Sequence, residues 1–118
     1  MPATPSDPAA AFFPAPDLNA AHAREGRLYH EFLRAPALSA GLYVLEAGAA
    51  DPQSPHAEDE IYVILQGRAR FTAGDQTRPV AQGDVLYVRR AVPHRFQDIT
   101  ETLRIIVLFA PPEGSLGS

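Results

Sequence analysis

The chain has 118 residues and a mass of 12.7 kDa, which suits one domain with one hydrophobic core and leaves little for a second. Its 46% apolar and 20% charged residues match an ordinary globular composition and disfavour wholesale disorder or a fibrous architecture. Ten basic residues, all arginine, against 14 acidic ones give a net charge of −4, which argues against a nucleic-acid or anionic-membrane surface.

Cysteine is absent, so disulfides, thiolate ligands and a cysteine nucleophile are excluded, and any metal must bind through nitrogen and oxygen. No apolar run approaches the roughly 18 residues needed to cross a bilayer. The N-terminus lacks a basic n-region, and prolines interrupt the short Ala9–Phe13 apolar patch. A secretory signal reads poorly from this, and the cytoplasm is the expected location.

Residues Met1–Pro16 hold five of the 12 prolines and read as a flexible Pro/Ala-rich arm. Phe12 and Phe13 are its only large apolar side chains and could dock on the body or on a second subunit. Asp17–Glu25 opens on an acidic residue and carries Arg24 near its end, the pattern of a short helix that Gly26 stops.

Beyond Gly26 come short apolar stretches separated by turn residues. They are Leu28–Leu33, Leu38–Leu45, Ile61–Leu65, Arg68–Thr72, Val85–Val88, His94–Phe96 and Leu103–Phe109. This spacing predicts an all-β sandwich or small barrel spanning residues 17–112 with its leading helix, followed by a tail, 113–118. In Arg68–Thr72 the arginines share one face and Ala69 and Phe71 the other. Ile61–Leu65 is apolar throughout, so both faces are expected to be covered, one by the core and one by another sheet or subunit. A homodimer meets that requirement.

His56, Glu60 and His94 are the candidate chemistry, because two imidazoles and a carboxylate form a familiar open metal-site set. A local alternative is a helix starting at Ser54-Pro55. The β-branched Ile61, Val63 and Ile64, and the stop at Gly67, favour a strand. In one straight strand His56 and Glu60 would stand about 13 Å apart, at ~3.3 Å per residue, too far to share an ion. The chain must therefore turn through Ala57–Asp59.

These positions resemble the cupin superfamily of small β-barrels. Gly48, five residues, Ser54-Pro55-His56, three residues, Glu60, six residues and Gly67 follow the first cupin motif with only its first His missing. Gly83, five residues, Arg89-Arg90-Ala91, two residues, His94, three residues and Asp98 follow the second motif in its opening Gly and its His. The Pro, second Gly and Asn of that motif are replaced. The resemblance implies a single double-stranded β-helix (jelly-roll) barrel, with His56, Glu60 and His94 as ligands of a divalent metal: Fe, Mn, Ni, Zn or Cu. Ser54 stands at the remaining ligand position, with the longer arm of Gln53 or water as substitutes; the alternative is a metal-free barrel with hydrogen-bonded histidines.

Side-chain parity from Glu60 puts Tyr62 and Ile64 on the ligand face, and parity from His94 does so for Phe96 and Asp98. Tyr62 and Phe96 become candidate substrate contacts in a pocket for a small organic ligand. His30 reads as a packed or surface residue, His22 as solvent-exposed, Glu58 and Asp59 as solvated, and Arg89 and Arg90 as a turn cap or a guide for anions. The resulting reading is a metal-binding cupin, with dioxygenation or isomerisation among its possible reactions. A non-catalytic small-molecule or metal sensor, or a metal-free dimeric barrel, is the alternative.

Overall fold

The computed structural model describes residues 9–53 and 55–116. Expectations for Met1–Pro8, for Ser54 and for the last two residues lie outside them.

Helix α1 (Ala15–Glu25) begins two residues earlier than the sequence pattern suggests. Pro16 falls in its first turn, where a missing N–H costs nothing, and the Asp17 and Leu18 amides both donate to Pro14 O. Gly26 ends the helix in the left-handed conformation, φ 71°, with its amide on His22 O. Phe13 packs on Phe32 with ring centroids 4.7 Å apart, while Phe12 is exposed. His30 Nδ1 meets Glu25 Oε2 at 2.8 Å, tying the helix to the first strand.

Six strands follow: β1 (Tyr29–Arg34), β2 (Ser39–Leu45), β3 (Asp59–Ala73), β4 (Gln76–Ala81), β5 (Val85–Val88) and β6 (His94–Ala110). They pair in the order β1-β2-β6-β3-β4, with β5 on the other side of the first half of β3. All pairings are antiparallel.

The expected turns at Gln66-Gly67 and Asp98–Glu101 are instead irregularities inside two long strands. β3 and β6 pair along their whole length, and the register shifts between Ile64 and Arg70. Gly67 has φ +103°, and a Cβ there would fall 2.3 Å from Thr102 O, so the close backbone approach at the bend requires glycine. Across the shifts the inward parity changes, from Glu60, Tyr62 and Ile64 to Ala69 and Phe71. In β6 it changes at Asp98, φ 49°, which leaves Asp98 exposed and Ile99 buried. The parity expectation for Asp98 therefore fails, because a single left-handed residue reverses the alternation.

The sequence pattern does not predict β4. Pro79 disguises it, yet β4 is an edge strand, where a missing donor is tolerated.

The bent β3–β6 ladder folds the sheet over one core. Tyr62, before the bend, packs on Phe71 and Phe96, beyond it, at 5.6 and 5.3 Å. Leu45, Ile64, Leu103 and Ile105 complete that core, each fully buried and each worth roughly 1.5–3 kcal/mol. Arg68 and Arg70 face solvent opposite buried Ala69 and Phe71, as their alternation requires. Among the described residues no helix is long and apolar enough to cross a membrane.

Candidate functional site

At the start of β3 inward parity turns Glu60 and Tyr62 into the barrel. Glu60 pairs with Val88 on one side and Phe109 on the other, and it is buried. His94 opens β6 at the same end, and its Nε2 lies 3.1 Å from Glu60 Oε1, with both side chains almost wholly buried. Its Nδ1 lies 2.8 Å from Val92 O. A carbonyl only accepts, so Nδ1 carries the hydrogen and Nε2 is the nitrogen aimed at the interior.

The Tyr62 hydroxyl occupies the centre of the cluster. It lies 2.7 Å from Gln53 Oε1, 2.7 Å from Glu60 Oε2 and 2.9 Å from His94 Nε2. Asp51 sets the Gln53 amide: its Oδ2 accepts from Gln53 Nε2 at 2.7 Å, which leaves the amide oxygen facing Tyr62. The same carboxylate accepts from Tyr43 OH at 2.6 Å and from the Phe96 amide at 2.8 Å.

Counting hydrogens exposes a deficit. Tyr62 has one to give, and two oxygens, Gln53 Oε1 and Glu60 Oε2, stand at 2.7 Å to receive it. Burial, reinforced by the Glu60 charge and hydrogen bond, pushes the Tyr62 hydroxyl far above its usual range, so it keeps that hydrogen. One short oxygen–oxygen contact still lacks a proton when Glu60 is ionised, and a buried contact of that kind calls for an added proton or a cation. Burial pulls the His94 imidazole down, but its hydrogen bonds to Glu60 and Val92 O, with the charges of Glu60 and Asp51, hold it above the ordinary histidine value.

His56 stands apart from this cluster. Its ring centroid is 6.2 Å from that of His94 and 4.9 Å from that of Phe109, and its Nδ1 is 3.8 Å from Glu113 Oε2. Its carbonyl accepts from the Ala91 amide at 2.7 Å, joining the turn before β3 to the turn before β6. Among the described residues no group of three His, Asp or Glu side chains converges to hold a metal ion. The convergence that does exist is mixed, with an amide oxygen, a carboxylate and an imidazole nitrogen around a phenol. The donor chemistry of Gln53, Glu60 and His94 fits a divalent ion, and the 3.1 Å between Glu60 Oε1 and His94 Nε2 resembles the spacing of neighbouring ligands bonded at ~2.1 Å.

A cavity of about 310 Å³ opens beside the cluster, bounded by Tyr29, Tyr43, Gln53, His56, Phe109 and Glu113 among others. Tyr62 and Phe96 are packed behind this wall, Phe96 with its ring 4.6 Å from that of Phe71. Arg89 and Arg90 are exposed, and the Arg90 amide donates to Asp59.

Glu58, expected to be solvated, is 1% exposed with neither carboxylate oxygen partnered. It continues the inward parity of Glu60 and Tyr62, a signal that was legible. Asp51 offered no comparable signal, since its role depends on the Phe96 amide, 45 residues away.

The family model for the cupin domain matches residues 41–109. The chain belongs to the cupin family. This cupin is 47% identical over 97 residues to the uncharacterised protein SCO3923 of Streptomyces coelicolor, covering 82% of this chain and 92% of that one. Among solved structures it is similar to an RmlC-like cupin with a double-stranded β-helix fold from Methanocaldococcus jannaschii. The TM-score is 0.64, with 22% identity over 70% of this chain and 78% of that one. The DMSP lyase DddQ of Ruegeria pomeroyi is also similar, with a TM-score of 0.62 and 28% identity over 71% of this chain but only 42% of that one.

Proposed function

We propose that this cupin binds a divalent metal ion through Gln53, Glu60 and His94 and holds a small organic molecule in the adjoining cavity. The observation that carries the reading is the surplus of acceptors around the Tyr62 hydroxyl, which a cation would relieve. His56 completes the set if its side chain turns from Glu113 toward His94. The metal is one of Fe, Mn, Ni, Zn or Cu, all of which accept nitrogen and oxygen donors.

A bound divalent ion supplies Lewis acidity toward an oxygen-bearing ligand. The chain supplies the rest. Asp51 keeps the Gln53 oxygen turned inward, and Val92 O keeps the His94 lone pair inward once Nε2 gives up its proton. Glu60 accepts a proton as general base where its oxygen is free, and the Tyr62 hydroxyl donates its hydrogen bond to Glu60 or to Gln53. Dioxygenation and isomerisation of a small oxygenated compound are the reaction classes of this proposal, with Tyr62 and Phe96 shaping the site from behind the cavity wall. A cytoplasmic setting belongs to the same reading, on composition alone.

The direct contact of Glu60 with His94 favours a second reading, a metal-free binding module in which the two side chains satisfy each other. Metal analysis separates the two. Protein purified without chelating resin is expected to carry near-stoichiometric metal, lost in Glu60→Gln and His94→Ala. Protein without bound metal, whose variants take up added metal as well as the parent does, overturns the first reading.

A second copy of the chain is proposed to cover the outer sheet face. Ile61 and Leu65 on β3 and Val85 and Tyr87 on β5 are 39–64% exposed, and Ile61 pairs directly with Tyr87. A contiguous apolar face across neighbouring strands is the kind of surface that dimers bury.

A further inference from the structure

The cavity beside Gln53 and His56 has aromatic walls set at steep angles to one another. Tyr29 meets Tyr43 at 6.3 Å and 64°, and Phe109 at 6.2 Å and 83°, while His56 meets Phe109 at 4.9 Å and 67°. These rings pack edge to face on one another, and all four residues line the same space.

Tyr29 is seated there by a missing side chain. Gly41 on β2 leaves a notch, and a Cβ on it would fall 2.2 Å from Tyr29 Cζ. The Tyr29 hydroxyl is buried without a hydrogen-bond partner, an opening for a ligand atom.

The charge around this space is negative. Glu113 lines the cavity, its amide donating to Ser39 Oγ and its carbonyl accepting from Arg34. Glu113 Oε2 lies 3.8 Å from His56 Nδ1, the one imidazole among the described residues of the cavity wall. The carboxylates of Glu31, Glu58 and Glu60 also act on Glu113, while those of Glu113, Glu31 and Glu60 act on Tyr29. Glu58 is buried with both oxygens unpartnered. Arg34 is the nearby guanidinium, already committed to Glu31 Oε1 and Glu113 O. No arginine is among the described residues that line the cavity, and the chain has no lysine.

Aromatic walls with carboxylates around them are the environment in which a cation that sheds little water is held best. An anion would meet several carboxylates there, and a neutral molecule of the same shape gains nothing from them. We propose that this cavity binds a small organic ammonium against Tyr29, Tyr43 and Phe109, with Glu113 as its counter-charge. The proposal deepens the reading above by naming the ligand class of the cavity, and it rests on that reading only in treating cavity and cluster as one site.

Choline and its neutral carbon isostere 3,3-dimethylbutan-1-ol share a shape and differ by one charge. Isothermal titration of the full chain with each, after treatment with chelator, is expected to show choline binding about tenfold more tightly or better. That preference should persist in Tyr29→Phe, which keeps the ring, and collapse in Tyr29→Leu and Glu113→Gln. Thermal melts confirm that each variant is folded. Equal affinities, preference for the isostere, no saturable binding of choline at millimolar concentration, or an undiminished preference in folded Glu113→Gln overturns the proposal. Failure to bind manganese or zinc with the choline preference intact counts against the metal reading alone. Metal uptake with no such preference counts against this proposal alone.

Discussion

The Asp51 carboxylate accepts a 2.7 Å hydrogen bond from the side-chain amide nitrogen of Gln53, two residues away, and that bond fixes which end of the amide looks into the barrel. Asp51 thereby orients a candidate ligand while bracing Tyr43 and the Phe96 amide.

Asp51→Ala leaves three partners without an acceptor in a part-buried setting. The expected loss is about 3 kcal/mol, against under about 1 kcal/mol for Asp84→Ala, whose carboxylate meets one exposed amide. Urea unfolding of the two variants measures both. Similar losses would remove Asp51 from the support of the site.

Metal-free protein should lose stability as pH rises above neutrality. The folded pKa of His94 is raised above its ordinary value of 6.5. Its contribution is therefore full below about pH 6.5 and disappears as pH climbs through the folded value. Glu113, also raised by burial first and then by its acidic neighbours against the opposing pull of His56, acts in the same direction from a lower starting point. Thermal melts in chelator from pH 6 to 9, approximate limits set by ordinary histidine titration, should show a decline that flattens in His94→Gln. A midpoint that rises with pH contradicts the pairing with Glu60.

Two glycines at positive φ separate backbone strain from close approach. Gly48 has φ +80° and nothing within 4 Å of where a Cβ would stand, so Gly48→Ala should cost about 1 kcal/mol. Gly67→Ala adds a collision with Thr102 O and should cost more than about 3 kcal/mol. Denaturant midpoints of the two variants test the order. Equal costs would mean that β6 yields at the bend.

Ile61→Glu and Tyr87→Glu should each convert a dimer to a folded monomer, read by sedimentation velocity with circular dichroism as the check on folding. A parent that sediments as a monomer would remove the second copy from the proposal.

The positions of Glu60 and His94 were legible because the motif spacing fixes strand starts at one end of a barrel, and parity then directs both side chains inward. Gln53 was legible as a long polar arm beside a missing histidine. The strand boundaries were less so: Gly67 and Asp98 read as turns because they interrupt alternation, and only the pairing of β3 with β6 turns those interruptions into bulges. Pro79 concealed β4 for a related reason, since an edge position cannot be read before the sheet order is known. The seat of Tyr29 on Gly41 is invisible along the chain, because it depends on the strand that lies next to it.

The Ala91 amide reaches the His56 carbonyl through main-chain atoms alone. Exchange of the imidazole at position 56 for another group would leave that fastening untouched. Such a barrel can try out different chemistries at its rim while its shape is inherited unchanged.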